Sequence, residues 1–273
     1  MLSINTNISS LIGAQNLNNT QNQISLLTQQ ISTGKRILSA ADDPAGVGIL
    51  STLKSQDASY TAVQKNLASG TSLLKVAETS LNSQQAIMKQ MKDLATQASS
   101  QLLSTDQRSA LQSQFGELQK QMDSIVNKAS LFGQNLTGSS SANVDVQSGI
   151  NSGDTYTLTS VKSDGATLGI DSATIDLTDT TKASAAMAAI DTAVGTVAGY
   201  QSTIGTQLTG MQTMTDAVKN TQINVQASIS SIEDANVAEL STQLAQLQTK
   251  QQLQTQALSI TNQLPQSVLS LFR

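Results

Sequence analysis

Residues 60–102 read YTAVQKNLASGTSLLKVAETSLNSQQAIMKQMKDLATQASSQL, and the spacing of their apolar residues decides the fold. Alternating steps of three and four residues keep one narrow stripe of a helix facing a partner helix. The stripe comprises Tyr60, Val63, Leu67, Gly70, Leu74, Ala77, Leu81, Gln84, Met88, Met91, Ala95, Ala98 and Leu102. At about 1.5 Å per residue it predicts a helix roughly 65 Å long, longer than most helices of globular proteins.

Two further stripes supply partners for this helix. A second long stripe comprises Met187, Ile190, Val194, Val197, Gln201, Ile204, Leu208, Met211, Thr215, Val218, Gln222, Val225, Ile229 and Ile232. A shorter one comprises Leu111, Phe115, Leu118, Met122, Ile125, Ala129 and Phe132. Because only residues 103–110 separate the short stripe from the first, we expect these two helices to form an antiparallel hairpin. Ser104 and Gln107 have the spacing of a capping box at the start of the short helix.

Both ends of the chain predict amphipathic helices. The first covers residues 4–38 and ends near Gly34, a residue suited to a left-handed C-cap. Residues 39–46 contain Pro44 and predict a bent connector. The last helix follows a break at residues 233–236 and carries two stripes that are out of phase. They comprise Val237, Leu240, Leu244 and Leu247, and then Leu253, Ala257, Ile260 and Leu264.

Glycine, serine and threonine replace the helical stripes between the short helix and the second long one. Segments 144–146, 156–161 and 174–177 have strand-like composition. The fold class is therefore mainly α: a long antiparallel coiled-coil or helical-bundle rod, with paired terminal helices and a small β-rich outer lobe. The predicted segments are 1–46 (terminal helix and connector), 47–136 (rod helices), 137–181 (variable lobe), 182–232 (rod helix) and 233–273 (terminal helix).

Composition excludes several classes of function. The chain has no histidine and no cysteine, so it lacks the usual general base near neutral pH, the commonest metal ligand and any disulfide. We therefore expect no enzyme activity and no cofactor. A net charge of −4, without clustered Lys and Arg, argues against nucleic acid as a partner. No apolar run is long enough to predict a membrane span, and the first residues lack the basic leader of a secretory signal peptide.

The terminal sequences resemble those of bacterial flagellins. The matching segments are INTNISSLIGAQNLNNTQNQISLLTQQISTGKRILSAADDPAG (4–46) and SSIEDANVAELSTQLAQLQTKQQLQTQALSITNQLPQSVLSLFR (230–273). Segments 91–99, 122–136 and 146–158 are also similar to the family, which brings the resemblance to about four fifths of the chain. Where the family often has Arg-x-x-x-Gly-Ala, this chain has Gln201-Ser202-Thr203-Ile204-Gly205-Thr206.

The resemblance implies a subunit of the flagellar filament, a helical polymer in which the chain's main partner is itself. It also implies an extracellular location, export without a cleaved signal peptide, and contacts with the export apparatus, its chaperone, and hook-associated and cap proteins. Two alternatives remain open: a hook–filament junction protein with similar termini, and a surface adhesin or polysaccharide-binding protein that uses the Ser/Thr-rich lobe.

The candidate assembly interface follows from the terminal stripes. A pair of helices buries such stripes only partly, so the remaining apolar surface requires other molecules. The residues assigned to this interface are Leu17, Ile24, Leu27, Ile31, Leu38, Val237, Leu240, Leu244, Leu247, Leu258 and Leu264. Ser139, Ser140 and Ser141 are candidates for glycosylation, although an ordinary flexible loop accounts for them without modification.

Overall fold

The computed structural model describes residues 7–171 and 174–271, with side chains as far as Gln263. This part of the chain contains five helices and two small antiparallel sheets. The helices are α1 (Ile8–Thr33), α2 (Pro44–Ala98), α3 (Thr105–Lys128), α4 (Thr180–Glu233) and α5 (Val237–Leu271). The hairpins pair β1 (Ser130–Leu131) with β2 (Gln134–Asn135), and β3 (Val144–Gln147) with β4 (Thr155–Leu158). The prediction of a mainly α protein with long helices is confirmed.

The chain divides into two compact units. Unit 1 comprises residues 1–55 and 224–273, and unit 2 comprises residues 56–223. Unit 1 joins two segments that are distant in sequence and unit 2 is one continuous range. The five predicted segments divide the chain differently and remain a prediction.

In unit 2, α2 and α4 run antiparallel and are bridged by polar side chains. Gln64 Nε2 donates to Gln222 Oε1 over 2.6 Å, and Gln85 Nε2 donates to Gln201 Oε1 over 2.8 Å. Further along α2, Lys92 and Asp191 form an ion pair of 2.5 Å. Partner numbers fall on α4 as they rise on α2, which fixes the antiparallel register. Gln201 also donates to Asn82, so a polar contact between helices exists where the family often carries arginine.

The predicted stripes form the interior of unit 2. Every stripe position of α2 from Val63 to Ala98 is buried, and on α4 the buried stripe members recur every seven residues from Ile190 to Val218. The assignment of Leu102 to the stripe is wrong. Because α2 ends at Ala98, Leu102 lies in the following turn with 93% of its surface exposed.

The α2–α3 hairpin forms as expected. Ser104 accepts a hydrogen bond from the backbone N–H of Gln107, whose side chain accepts one from the N–H of Ser104, so the predicted capping box is confirmed. Arg108, near the start of α3, donates to the carbonyl of Ala98. Lys128 at the other end of α3 lines a groove together with Lys75 of α2, so the two helices are antiparallel.

The short stripe ends before Phe132, which was wrongly assigned to it. Phe132 and Gly133 form the two-residue turn between β1 and β2, with φ angles of 54° and 76°. No pattern in the sequence predicted this hairpin. Phe132 is consequently 75% exposed rather than buried.

Two of the three segments predicted as strands in the lobe form strands, and they pair with each other. Segments 144–146 and 156–161 overlap β3 and β4, but residues 174–177 form no strand. The carbonyl of Ile175 accepts from Gln112 Nε2 at 3.3 Å, and the N–H of Leu177 donates to Gln112 Oε1 at 2.7 Å. A glutamine side chain of α3 thus replaces a neighbouring strand. Ile175 and Leu177 are buried in the same core as the stripes of α2 and α4.

In unit 1, helix α1 ends where the sequence indicated. Gly34 has φ 70° and forms the left-handed C-cap, which confirms that expectation. The extension of the predicted N-terminal helix to Leu38 is therefore wrong, because Leu38 lies beyond this cap. It belongs to the connector between α1 and α2, which spans residues 34–43 in the structure. Asp43 Oδ1 accepts from the N–H of Gly46 at 2.8 Å, and Pro44 begins α2 at the position where proline is tolerated.

Candidate assembly surface

Helices α1 and α5 form an antiparallel pair along most of their length. Asn7 Nδ2 donates to the carbonyl of Thr261 over 3.1 Å, and Ser10 Oγ donates to Asn262 Oδ1 over 2.7 Å. Further along, the side chains of Gln21 and Gln251 are hydrogen bonded. The helices approach closely, since a Cβ at position 13 would lie 3.0 Å from Leu258 Cδ1. This pair is the core of the candidate assembly site.

The predicted interface residues lie mostly inside this subunit. Leu27 is buried, and Leu17, Ile24, Ile31, Leu38, Leu240, Leu244, Leu247 and Leu258 are half-buried. Val237 is exposed, and the side chain of Leu264 lies outside the described residues. Leu27 of α1 and Leu247 of α5 line one open groove of 510 Å³, which brings the two predicted stripes together. Leu27 and Leu247 of the predicted interface therefore meet within the subunit, between α1 and α5.

A second set of apolar residues, which shares only Val237 with the predicted interface, is left uncovered on unit 1. Each side chain is more than 40% exposed. Single exposed apolar residues are common, but this many on one unit is unusual. They comprise Ile8, Leu11, Ile12, Leu26, Ile49, Val237, Leu253 and Ile260. Leu253 and Ile260 belong to the second predicted stripe of α5. The sequence analysis missed Ile8, Leu11 and Ile12, although their spacing at i, i+3 and i+4 marks a helical face.

A buried carboxylate holds the ends of the unit 1 helices together. Glu233 at the end of α4 pairs with Lys35 of the connector at 2.7 Å and with Lys54 of α2 at 2.8 Å. Its side chain is 10% exposed. The pKa of Glu233 is lowered, chiefly by the hydrogen bond from Lys35 and then by that from Lys54. The same pairing raises the pKa of Lys35.

Backbone hydrogen bonds reinforce this junction. The N–H of Arg36 donates to the carbonyl of Glu233 at 2.6 Å, and the N–H of Ala235 donates to the carbonyl of Gly34 at 2.9 Å. The Arg36 guanidinium donates to the carbonyl of Ile232. The sequence indicated a break at residues 233–236 but gave no sign that Glu233 had partners about 180 and 200 residues away.

The three candidate serines differ in accessibility. Ser139 and Ser140 are exposed, whereas the hydroxyl of Ser141 is buried without a hydrogen-bond partner in the described part of the chain. Modification by a bulky glycan requires an exposed oxygen, so Ser139 and Ser140 remain candidates and Ser141 is a poor one.

Among the residues described, no helix is long and apolar enough to cross a membrane.

Family models match both ends of the chain. The model described as bacterial flagellin N-terminal helical region matches residues 4–141, and the one described as bacterial flagellin C-terminal helical region matches residues 187–272. Flagellin FljM of Caulobacter vibrioides is 35% identical over 99% of this chain and 98% of its own length.

Two solved structures are also similar. Flagellin of Bacillus cereus shares 26% identity with a TM-score of 0.50, covering 56% of this chain and 88% of its own. A protein of Vibrio parahaemolyticus described as flagellar hook-associated has a TM-score of 0.59, covering 71% of this chain and 100% of its own. At 18% identity, the second likeness concerns the fold alone.

Proposed function

Because the chain belongs to the bacterial flagellin family, whose members are structural proteins of the flagellar filament, we propose that it polymerises into that filament through the α1–α5 pair. The observation that carries this proposal is the uncovered apolar face of unit 1, which includes Leu11, Leu253 and Ile260. Burying such residues contributes roughly 1.5 to 3 kcal/mol per large side chain when it is complete. A polymer repeats this contribution at every subunit.

The proposed interface differs from the one predicted from sequence. Within a subunit, the stripe that contains Leu27 and Leu247 joins α1 to α5, and the exposed face then meets neighbouring copies. The half-buried members of the predicted set, such as Leu244, contribute their remaining exposed surface. The finer elements of the resemblance are proposed on the same family grounds: an extracellular position, and contacts with the export apparatus, its chaperone, and hook-associated and cap proteins.

The test is a polymerisation assay on Ile260→Asp. Ile260 is 62% exposed, so the substitution leaves the isolated subunit nearly unchanged. In a polymer it would place a carboxylate against apolar neighbours, which costs several kcal/mol. We expect circular dichroism to match the parent, and electron microscopy to show no filaments at concentrations where the parent polymerises.

Leu102→Asp is the matched control, because Leu102 is 93% exposed in a turn of unit 2. This variant should form filaments at the parental concentration. Normal polymerisation by Ile260→Asp would contradict an assembly role for the exposed face of α5. If the parent itself forms no filaments at any concentration, the proposed function is wrong.

A further inference from the structure

Phe132 occupies a backbone position that does not suit it. It is the first residue of the β1–β2 turn, and with φ 54° it is the only non-glycine residue with positive φ in the described ranges 7–171 and 174–271. Gly133 follows with φ 76°. Two-residue hairpin turns with two positive φ angles favour Asn-Gly, because a bulky side chain is strained in this conformation. Folding alone gives no reason for a phenylalanine here.

The aromatic ring is also unusually exposed. Of the described Phe and Tyr residues, Phe115 is buried, three Tyr are half-buried, and Phe132 alone is exposed, at 75%. Phe132 and Asp145 both line a groove of 380 Å³. An exposed aromatic ring on a strained turn, in a groove that also contains a carboxylate, has the character of an anchor for binding.

A groove elsewhere on unit 2 has complementary properties. It lies between α2 and α3, has a volume of 430 Å³, and is lined by the apolar side chains of Val76, Ile125 and Ala129. Lys75 and Lys128 also line it, and neither forms an ion pair within the described part of the molecule. The groove is large enough for one aromatic side chain, and its positive charge suits a partner that carries a carboxylate.

We propose that Phe132 of one copy inserts into the α2–α3 groove of a second copy, where Asp145 of the first copy faces Lys75 and Lys128. This contact rests on the proposed function and names a lateral contact additional to the α1–α5 pair. The α2–α3 groove shares no lining residue with the groove that contains Phe132. Donor and acceptor are thus different surfaces, and repeated contacts of this head-to-tail kind generate rings or, where the rotation does not close, helical filaments.

The first experiment replaces the ring and relieves the strain. Phe132→Asn produces the Asn-Gly pair that the turn favours, so the isolated variant should melt at or above the parental temperature. We expect its critical concentration for polymerisation to rise at least tenfold. Leu102→Asn removes another exposed apolar side chain and should polymerise as the parent does. Parental polymerisation by Phe132→Asn would overturn the proposed contact and leave the proposed function intact.

The second experiment uses the absence of cysteine from the chain. Mixing the variants Gln134→Cys and Thr79→Cys keeps the Phe132 ring and should give an intermolecular disulfide under oxidising conditions, because Gln134 directly follows the Phe132–Gly133 turn and Thr79 lines the α2–α3 groove. Gln134→Cys mixed with Ser113→Cys is the control, since Ser113 is exposed on α3 outside the groove. Equal yields in the two mixtures would overturn the contact. The crosslink can be measured even if the parent forms no filaments, which separates failure of this contact from failure of the proposed function.

Discussion

Among single residues, Glu233 is the one whose burial most needs explanation. Removing a carboxylate from water is costly unless partners replace the lost solvation. Two lysines, Lys35 and Lys54, supply those partners, and both lysine side chains are 49% exposed. The lysines therefore retain contact with water, so the pairs contribute less than fully buried ones would. The net effect is to hold the connector against the end of α4.

We expect Glu233→Gln to loosen this junction at neutral pH. Hydrogen exchange at the N–H groups of Arg36 and Ala235 should accelerate about fivefold, which corresponds to about 1 kcal/mol. Since the folded pKa of Glu233 lies below its usual value of 4.5, the stabilisation is fully present above that pH and is lost as the pH falls through the folded value. Parent and variant should therefore converge in strong acid. Glu239→Gln, at an exposed position of α5, is the control, and equal protection in all three proteins at pH 7 would contradict the assigned role.

At the level of helices and strands, Gly70 on the α2 stripe is buried, but the stripe pattern does not predict which side chains pack against it. A Cβ at position 70 would lie 2.6 Å from Met211 Cε and 3.1 Å from Val146 Cγ2. The stripe predicted burial of position 70 but not its neighbours, because spacing along one helix gives no information about the side chains that fill the space opposite. Gly70 is small because α4 and β3 both meet α2 at that point.

Gly70→Val should consequently destabilise unit 2 by about 1 to 3 kcal/mol through overpacking. Gly199→Ala on α4 provides the contrast, since nothing lies within 4 Å of its Cβ position. That change should stabilise the helix by about 0.5 to 1 kcal/mol. Thermal unfolding followed at 222 nm in the same buffer would show both shifts; a Gly70→Val variant as stable as the parent would show that the packing can rearrange freely.

The segment 174–177 was predicted as a strand because its composition is strand-like, and composition cannot identify the partner of a backbone group. Gln112 satisfies the carbonyl of Ile175 and the N–H of Leu177. Nothing in the local sequence marks a glutamine of a distant helix for this role. Helix periodicity and caps, by contrast, depend on residues within a few positions of one another, which is why Gly34 and the Ser104–Gln107 capping box were predictable.

Replacing Gln112 by Leu should leave both backbone groups without their partner. The expected loss is about 1 to 3 kcal/mol in the stability of unit 2, measured by urea unfolding. Gln121→Leu, at an exposed position of the same helix, should change stability by less than about 0.5 kcal/mol. Similar unfolding midpoints for the two variants would mean that water replaces Gln112 without cost.

For the whole molecule, the two units differ in how much apolar surface they bury. In the described part of the chain, only Leu27, Ile37 and Leu50 are buried apolar residues of unit 1. All the others lie in unit 2 and most of them form one cluster there. The sequence therefore predicted correctly that the terminal stripes form helices. Which of their apolar residues the partner helix covers, and which remain exposed to solvent, depends on the geometry of the two helices together. A single helical pattern cannot provide that geometry.

This difference predicts the order of unfolding in dilute protein. Ordering a residue costs about 1 to 2 kcal/mol of backbone entropy, and unit 1 has few buried apolar contacts to offset that cost. Brief proteolysis should first cut within residues 1–55 and 224–273, and leave a helical fragment close to residues 56–223. In polymerised protein the same sites should be protected, because neighbouring copies would cover Leu11, Leu253 and Ile260. Early cleavage within the α2 and α4 segments of unit 2, or equal cleavage of monomer and polymer, would contradict the assignment of the exposed apolar face to assembly.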